Sequence, residues 1–251
     1  MNRLAWSFCR FLLGLVVVVG LCSISTAADI PINVTVTADN VYGIYTGTLT
    51  GASQFVNADN SWPTAETYNF NLPANNYIYV VSYSDDVVAQ GFLAQFTNQD
   101  TNHRFYSSDP QWQVTATGIN KGTNDSQPTV TDLTSQILLA NAGTNSSGGW
   151  VSTSVGPQNL NALPWGTIAN IDAAAHWTWY DSGKDTRSNT AYPIPFDGFN
   201  HDEYLIFRIP VNASPVPEPS SAFLLMLGAA SIVAFAVQGQ RSRSKHRQVE
   251  A

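Results

Sequence analysis

Between residues 30 and 211, apolar and polar positions alternate in short runs broken by Gly, Asn, Asp and Pro. Alternation with a period of two sends successive side chains to opposite faces of a strand, whereas a helix repeats near 3.6. The pattern predicts strands over 32–38 (INVTVTA), 41–50, 66–72, 76–84 (NYIYVVSYS), 91–97, 112–117, 150–155, 176–181 (HWTWYD) and 203–211 (EYLIFRIPV). In 76–84, Tyr77, Tyr79, Val81 and Tyr83 fall on one face, and Ile78, Val80 and Ser82 on the other. About nine short strands with turn residues between them predict an all-β fold, a β-sandwich or jelly roll. One segment, 131–140 (TDLTSQILLA), reads as a short helix capped by Asp132. The stretches 117–149 and 182–200 are rich in turn formers and read as long loops, where sites on a sandwich gather.

The two ends of the chain break this pattern. Arg3 and Arg10 precede an uninterrupted apolar run, 11–21 (FLLGLVVVVGL), and Ser25-Thr26-Ala27 follow. A basic start, a short apolar core and small residues at the cut describe a secretory signal peptide, residues 1–27, cleaved after Ala27 or Ala28. The core is short for a spanning helix. At the other end, Pro217-Glu218-Pro219 lead into an apolar run, 222–237, and then Arg241, Arg243, Lys245 and Arg247. With its uncharged flanks the run covers 220–239, enough to cross a bilayer. The basic cluster stays cytoplasmic by the positive-inside rule, which puts the domain outside, where the leader also sends it. Pro217 and Pro219 keep the stretch before the apolar run extended.

A Pro-Glu-Pro motif followed at once by an apolar helix and an Arg-rich end resembles the PEP-CTERM sorting signal. The resemblance covers about the last thirty residues, and the polar stretch Gln248 to Ala251 makes the tail slightly longer than that pattern. It implies recognition by an exosortase, removal of the tail, and a setting of extracellular polysaccharide. The domain plan is then a signal peptide (1–27), an extracellular sandwich (28–214) and a sorting tail (215–251). Within the sandwich, an Ala175-x-Trp177-x-Trp179 segment and a later Phe207-Arg208 strand resemble galactose-binding-domain-like jelly rolls of sugar-active enzymes. That resemblance spans about forty residues and implies a fold rather than an activity.

Charge narrows the partners. Of the 11 basic residues only Arg104, Lys121, Lys184, Arg187 and Arg208 lie in 28–214, against 16 acids, a balance of −11. Such a surface repels phosphate backbones and argues against nucleic acid, so no nucleic-acid partner is expected. Both cysteines, Cys9 and Cys22, lie in the leader, so the cleaved chain has no disulfide, thiol nucleophile or zinc–thiolate site. No Gly-x-Ser-x-Gly elbow or phosphate loop occurs, and the chain reads as a non-enzyme. No cofactor is expected beyond a structural Ca²⁺, for which Asp85, Asp86, Asp197 and Asp202 offer oxygen ligands. A hairpin turn at Asp85-Asp86 and a polar turn before residue 203 are the plain alternatives. Trp62, Trp112, Trp150 and Trp165 sit at or beside loops and are the candidates for stacking on a sugar ring. The expected role is an exported surface or matrix protein associated with polysaccharide, first anchored in the inner membrane. The alternative is a carbohydrate-binding module. Signal peptidase and exosortase are the expected processing partners.

Overall fold

A computed structural model describes residues 28–84, 89–183, 195–196, 199 and 203–211. The signal peptide, Asp85, Asp86, Asp197, Asp202, the Pro-Glu-Pro motif, the apolar run 220–239 and the basic cluster all lie outside the described residues. The chain divides into a compact unit ending at Val211 and a second unit, Asn212–Ala251.

The first unit is an all-β sandwich. In chain order its strands are β1 (Ile30–Asp39), β2 (Val41–Thr48), β3 (Gly51–Asp59), β4 (Glu66–Leu72), β5 (Asn76–Tyr83) and β6 (Gly91–Asn98). Then come β7 (His103–Tyr106), β8 (Gln113–Asn120), the helix α1 (Val130–Asn141), β9 (Val151–Ser152), β10 (Ser154–Gln158), β11 (His176–Trp179) and β12 (Glu203–Val211). One sheet, sheet A, runs β10-β11-β6-β1-β4, with β7 also on β6; the other, sheet B, runs β3-β2-β5-β12-β8-β9. All strand pairs are antiparallel.

Two of these strands escape the hydrophobic pattern. β3 is an edge strand, exposed over most of its length, so its sequence GASQFVNAD carries no buried repeat; pairing with β2 makes it a strand. β7 has four residues and buries only Phe105. The single strand expected over 150–155 is divided: β9 joins sheet B beside β8, and β10 joins sheet A beside β11. The helix cap also differs from expectation. Thr129 is the N-cap, accepting from the Asp132 backbone N–H at 3.1 Å, and Asp132 returns the bond from the third helical position. This capping box satisfies two orphan donors of the first turn.

Alternation in each strand builds two cores. Ile32, Val34, Val36, Phe92 and Phe96 of sheet A face Ile44, Val80, Leu205 and Phe207 of sheet B, all fully buried. Trp112 closes this layer edge-on to Phe92 at 5.5 Å. The opposite face of sheet B carries Tyr45, Tyr79, Val81, Tyr83, Tyr204 and Ile206, and α1 covers it with Leu133 and Ile137, one helical turn apart. Strands β11 and β12, whose sequences suggested a jelly roll, lie in different sheets; Trp179 meets Phe207 at 5.9 Å. Both junctions of the sandwich lie at one end: Ile30 pairs with Leu72 and Val211 with Asn76, either side of a tight turn.

Candidate functional site

The four tryptophans picked out as stacking candidates part into two pairs. Trp112 is 1% exposed and belongs to the inter-sheet core, its Nε1–H donating to the Tyr106 carbonyl at 2.8 Å. Trp165 is also buried. Its ring stacks on Trp177 at 4.1 Å, and its Nε1–H donates to the Asp39 carboxylate at 2.7 Å. The reason lies in the loop between β10 and β11. Asn159 pins the loop by donating to the carbonyls of Ile168 and Ile171 and accepting from the Ile168 N–H. Gly91 leaves room for the pair, since a Cβ there would lie 2.6 Å from Trp177. Neither Trp112 nor Trp165 offers a ring face to a ligand, and their loop positions in sequence did not reveal this.

Trp62 and Trp150 are half-buried. Trp62 sits in the turn between β3 and β4, whose backbone is held by Asp59 accepting from Ser61 N–H at 2.9 Å. Its carbonyl accepts from the Thr37 hydroxyl at 2.8 Å, which seats the turn over the outer face of sheet A.

Trp150 packs on the helix-covered face of sheet B, directly over Arg208, with the guanidinium 3.8 Å from the ring centroid. Sequence reading assigned no role to Arg208, although a lone cation inside the apolar strand EYLIFRIPV was the clue. Arg208 is only 7% exposed. Its Nε and Nη2 both donate to Gln113 Oε1, at 2.9 and 2.8 Å, and Nη1 donates to Asn141 Oδ1 at 3.0 Å. Asn141 also accepts from Trp150 Nε1–H and donates to the Leu49 carbonyl. One cation therefore ties β12, β8, the helix C-terminus and Trp150 together. Burial lowers the Arg208 pKa, opposed by the neighbouring Tyr79 and Tyr77 hydroxyls. Hydrogen bonds to a charged group contribute about 1.5–3 kcal/mol, and a desolvated cation–π contact up to about 2. Arg208→Ala is expected to lower stability by about 2–4 kcal/mol in urea unfolding. Arg208→Lys should recover less than half of that, because an ammonium cannot reproduce the planar fork. A loss below about 1 kcal/mol for the alanine variant would contradict the anchoring role.

The buried carboxylate Glu203 accepts from the Gly118 N–H and from Ser182 Oγ, the latter at 2.8 Å. Among the described residues, no three or more His, Cys, Asp or Glu side chains lie close enough to hold a metal ion. Among the same residues, no helix is long and apolar enough to cross a membrane. Arg104 and Asp172 form an exposed ion pair at 3.8 Å.

What the fold and these contacts define is an all-β sandwich with two half-exposed tryptophans, one on each side. Comparison with protein-family models, with curated proteins and with solved structures finds no match to this chain.

Proposed function

We propose that this chain is an exported, non-enzymatic protein of the cell surface or extracellular matrix, sorted by an exosortase-type system and associated with extracellular polysaccharide. The observation that carries the reading is the order of segments: an export leader, a sandwich, Pro217-Glu218-Pro219, an apolar run and four basic residues. Signal peptidase acts at the first segment and the exosortase at the last. The apolar run 220–239 holds the precursor in the inner membrane until then. The sandwich geometry is compatible with both events. β1 starts and β12 ends at the same end of the fold. Only five residues, 212–216, separate β12 from the motif, a reach of about 17 Å when extended. Having no cysteine after residue 22, the exported part depends on its two packed layers instead of disulfides.

Mass spectrometry of the protein recovered from exosortase-positive cells tests the sorting claim. The expected chain starts at residue 28 or 29 and ends before residue 220. An intact C-terminus through Ala251 would overturn it.

A second reading, a carbohydrate-binding module of jelly-roll type, is favoured by the half-exposed rings of Trp62 and Trp150. The non-enzymatic part of the proposal would fall if the protein hydrolysed a glycan and one carboxylate substitution abolished that activity.

A further inference from the structure

The two outer faces of the sandwich are finished differently. On sheet B, α1 covers the outer face. On sheet A, the Trp165 loop and the Trp62 turn cover the part near Asp39, Gly91 and Thr37. The remainder of that face is open to solvent except at Thr35, which is buried, and the strand registers define its chemistry. One row across it reads Thr67, Thr35, Gln95 and Tyr106. The next reads Asn69, Asn33, Thr97 and Arg104. At about 4.8 Å per strand each row runs about 14 Å, and the two rows lie about 7 Å apart.

Seven of these eight side chains are uncharged, on a domain whose balance is −11. The only charge, Arg104, is paired with Asp172. The rows are internally braced: Asn33 donates to Asn69 at 2.9 Å, and the hydroxyls of Thr35 and Thr67 lie 3.0 Å apart. Gln95 Oε1 accepts from the Asp172 N–H. This bracing leaves the amide NH₂ groups of Asn69 and Gln95, the Thr97 hydroxyl and Asn33 Oδ1 without a partner among the described residues. Half-exposed Tyr106 ends one row, and the Trp62 turn borders the shelf.

We infer that this shelf binds a chain of a neutral polysaccharide. The inference rests on the polysaccharide-associated reading above and adds the place and the ligand class. Sugar hydroxyls are donors and acceptors at once, and match a surface that presents both. The rim supplies aromatic carbon for the apolar side of a pyranose ring. A uronate or phosphate polymer would be repelled by the acidic domain. The bare shelf itself presents no apolar patch for a protein partner. Because the donors are fixed on paired strands, little side-chain freedom is lost on binding.

Affinity electrophoresis of the exported protein tests this, with dextran, soluble starch, galactomannan and xylan as neutral probes and alginate as the acidic one. At least one neutral probe should retard the protein and alginate should not. Asn69→Ala/Thr97→Ala should weaken that retardation at least tenfold with an unchanged melting temperature. Thr97→Glu, which sets a charge in the middle of a row, should do the same and serves if the double variant melts early. Trp150→Ala, on the other side of the sandwich, should leave retardation intact. Retardation lost in Trp150→Ala but kept in the Asn69, Thr97 and Thr97→Glu variants would overturn the shelf while leaving polysaccharide association standing. Retardation by alginate alone would likewise overturn only the neutral ligand. No retardation by any probe would overturn both.

Discussion

Raising the pH from 10 to 12 should unfold this sandwich. Tyr79, Tyr83 and Tyr204 are buried phenols whose pKa values are pushed up to about 12, with burial the largest cause in each. For Tyr79 the nearby Arg208 pulls the other way and is outweighed. Tyr42 and Tyr45 are raised for the same first reason. Several of these hydroxyls donate to carbonyls: Tyr45 to Pro128 at 2.6 Å, Tyr79 to Thr48 at 2.5 Å and Tyr83 to Asp125 at 3.0 Å. A phenolate cannot donate, so ionisation costs the bond as well as the desolvation. In the unfolded chain a phenol ionises near pH 10. The folded pKa is therefore the higher one, and between pH 10 and 12 the folded state holds protons that the unfolded state has released. Their contribution is complete below pH 10 and is lost as pH rises through 12. Each phenol lowers stability by about 1.4 kcal/mol per pH unit in that window, so three together lower it by about 4. Two such units remove about 8 kcal/mol through these three phenols, and Tyr42 and Tyr45 add to the loss, so a domain near the middle of the ordinary range, about 5–15 kcal/mol, unfolds. Circular dichroism and phenolate absorbance should change together, at one midpoint. Ionisation of the buried phenols near pH 10 with the sheets intact would contradict this, and Tyr83→Phe should reduce the slope by about one proton.

The largest loss from a single side chain is expected at Trp177. It is fully buried, its ring stacks on Trp165, and Gly91 has no side chain to stand in its place. Truncating a buried Trp to Ala costs about 3–5 kcal/mol, through lost transfer energy and the cavity left behind. Here the loop that carries Trp165 also loses the surface on which it is seated. Trp177→Ala should therefore lower the urea midpoint by the equivalent of about 4 kcal/mol and expose Trp165, seen as a red-shifted fluorescence spectrum. Trp177→Phe, which keeps a ring against Trp165, should lose less than half as much. Equal losses for the two variants would show that stacking contributes little.

The places where sequence reading and structure part have physical causes. Strands β5 and β12 were legible because both of their faces are buried against a layer, which demands a nearly unbroken run of apolar, β-branched and aromatic residues. The edge strand β3 was not, because hydrogen bonds to β2 make it a strand without burying its side chains. Trp112 and Trp165 stood beside loops in sequence, but burial is decided by what folds over them, and neighbours in the chain carry no record of that. Trp165 is covered through Asp39, Gly91 and Trp177, which lie far from it in sequence. Arg208 left a trace, a lone cation among apolar residues. Its partners Gln113 and Asn141 come from separate elements and left none.

The chain alone determined the features that depend on local composition: an alternating, all-β middle, an apolar run behind a basic start, and a proline-flanked apolar and basic tail. These follow from the period of two in a strand and from the apolar length a membrane requires, both properties of contiguous residues. Only the tertiary structure decided which strands share a sheet, that both junctions leave from one end, and that one outer face lies under a helix while part of the other stays bare and neutral. Those outcomes depend on contacts between residues distant in sequence, and a bare row such as Asn69, Asn33, Thr97 and Arg104 exists only once four separate strands are set side by side.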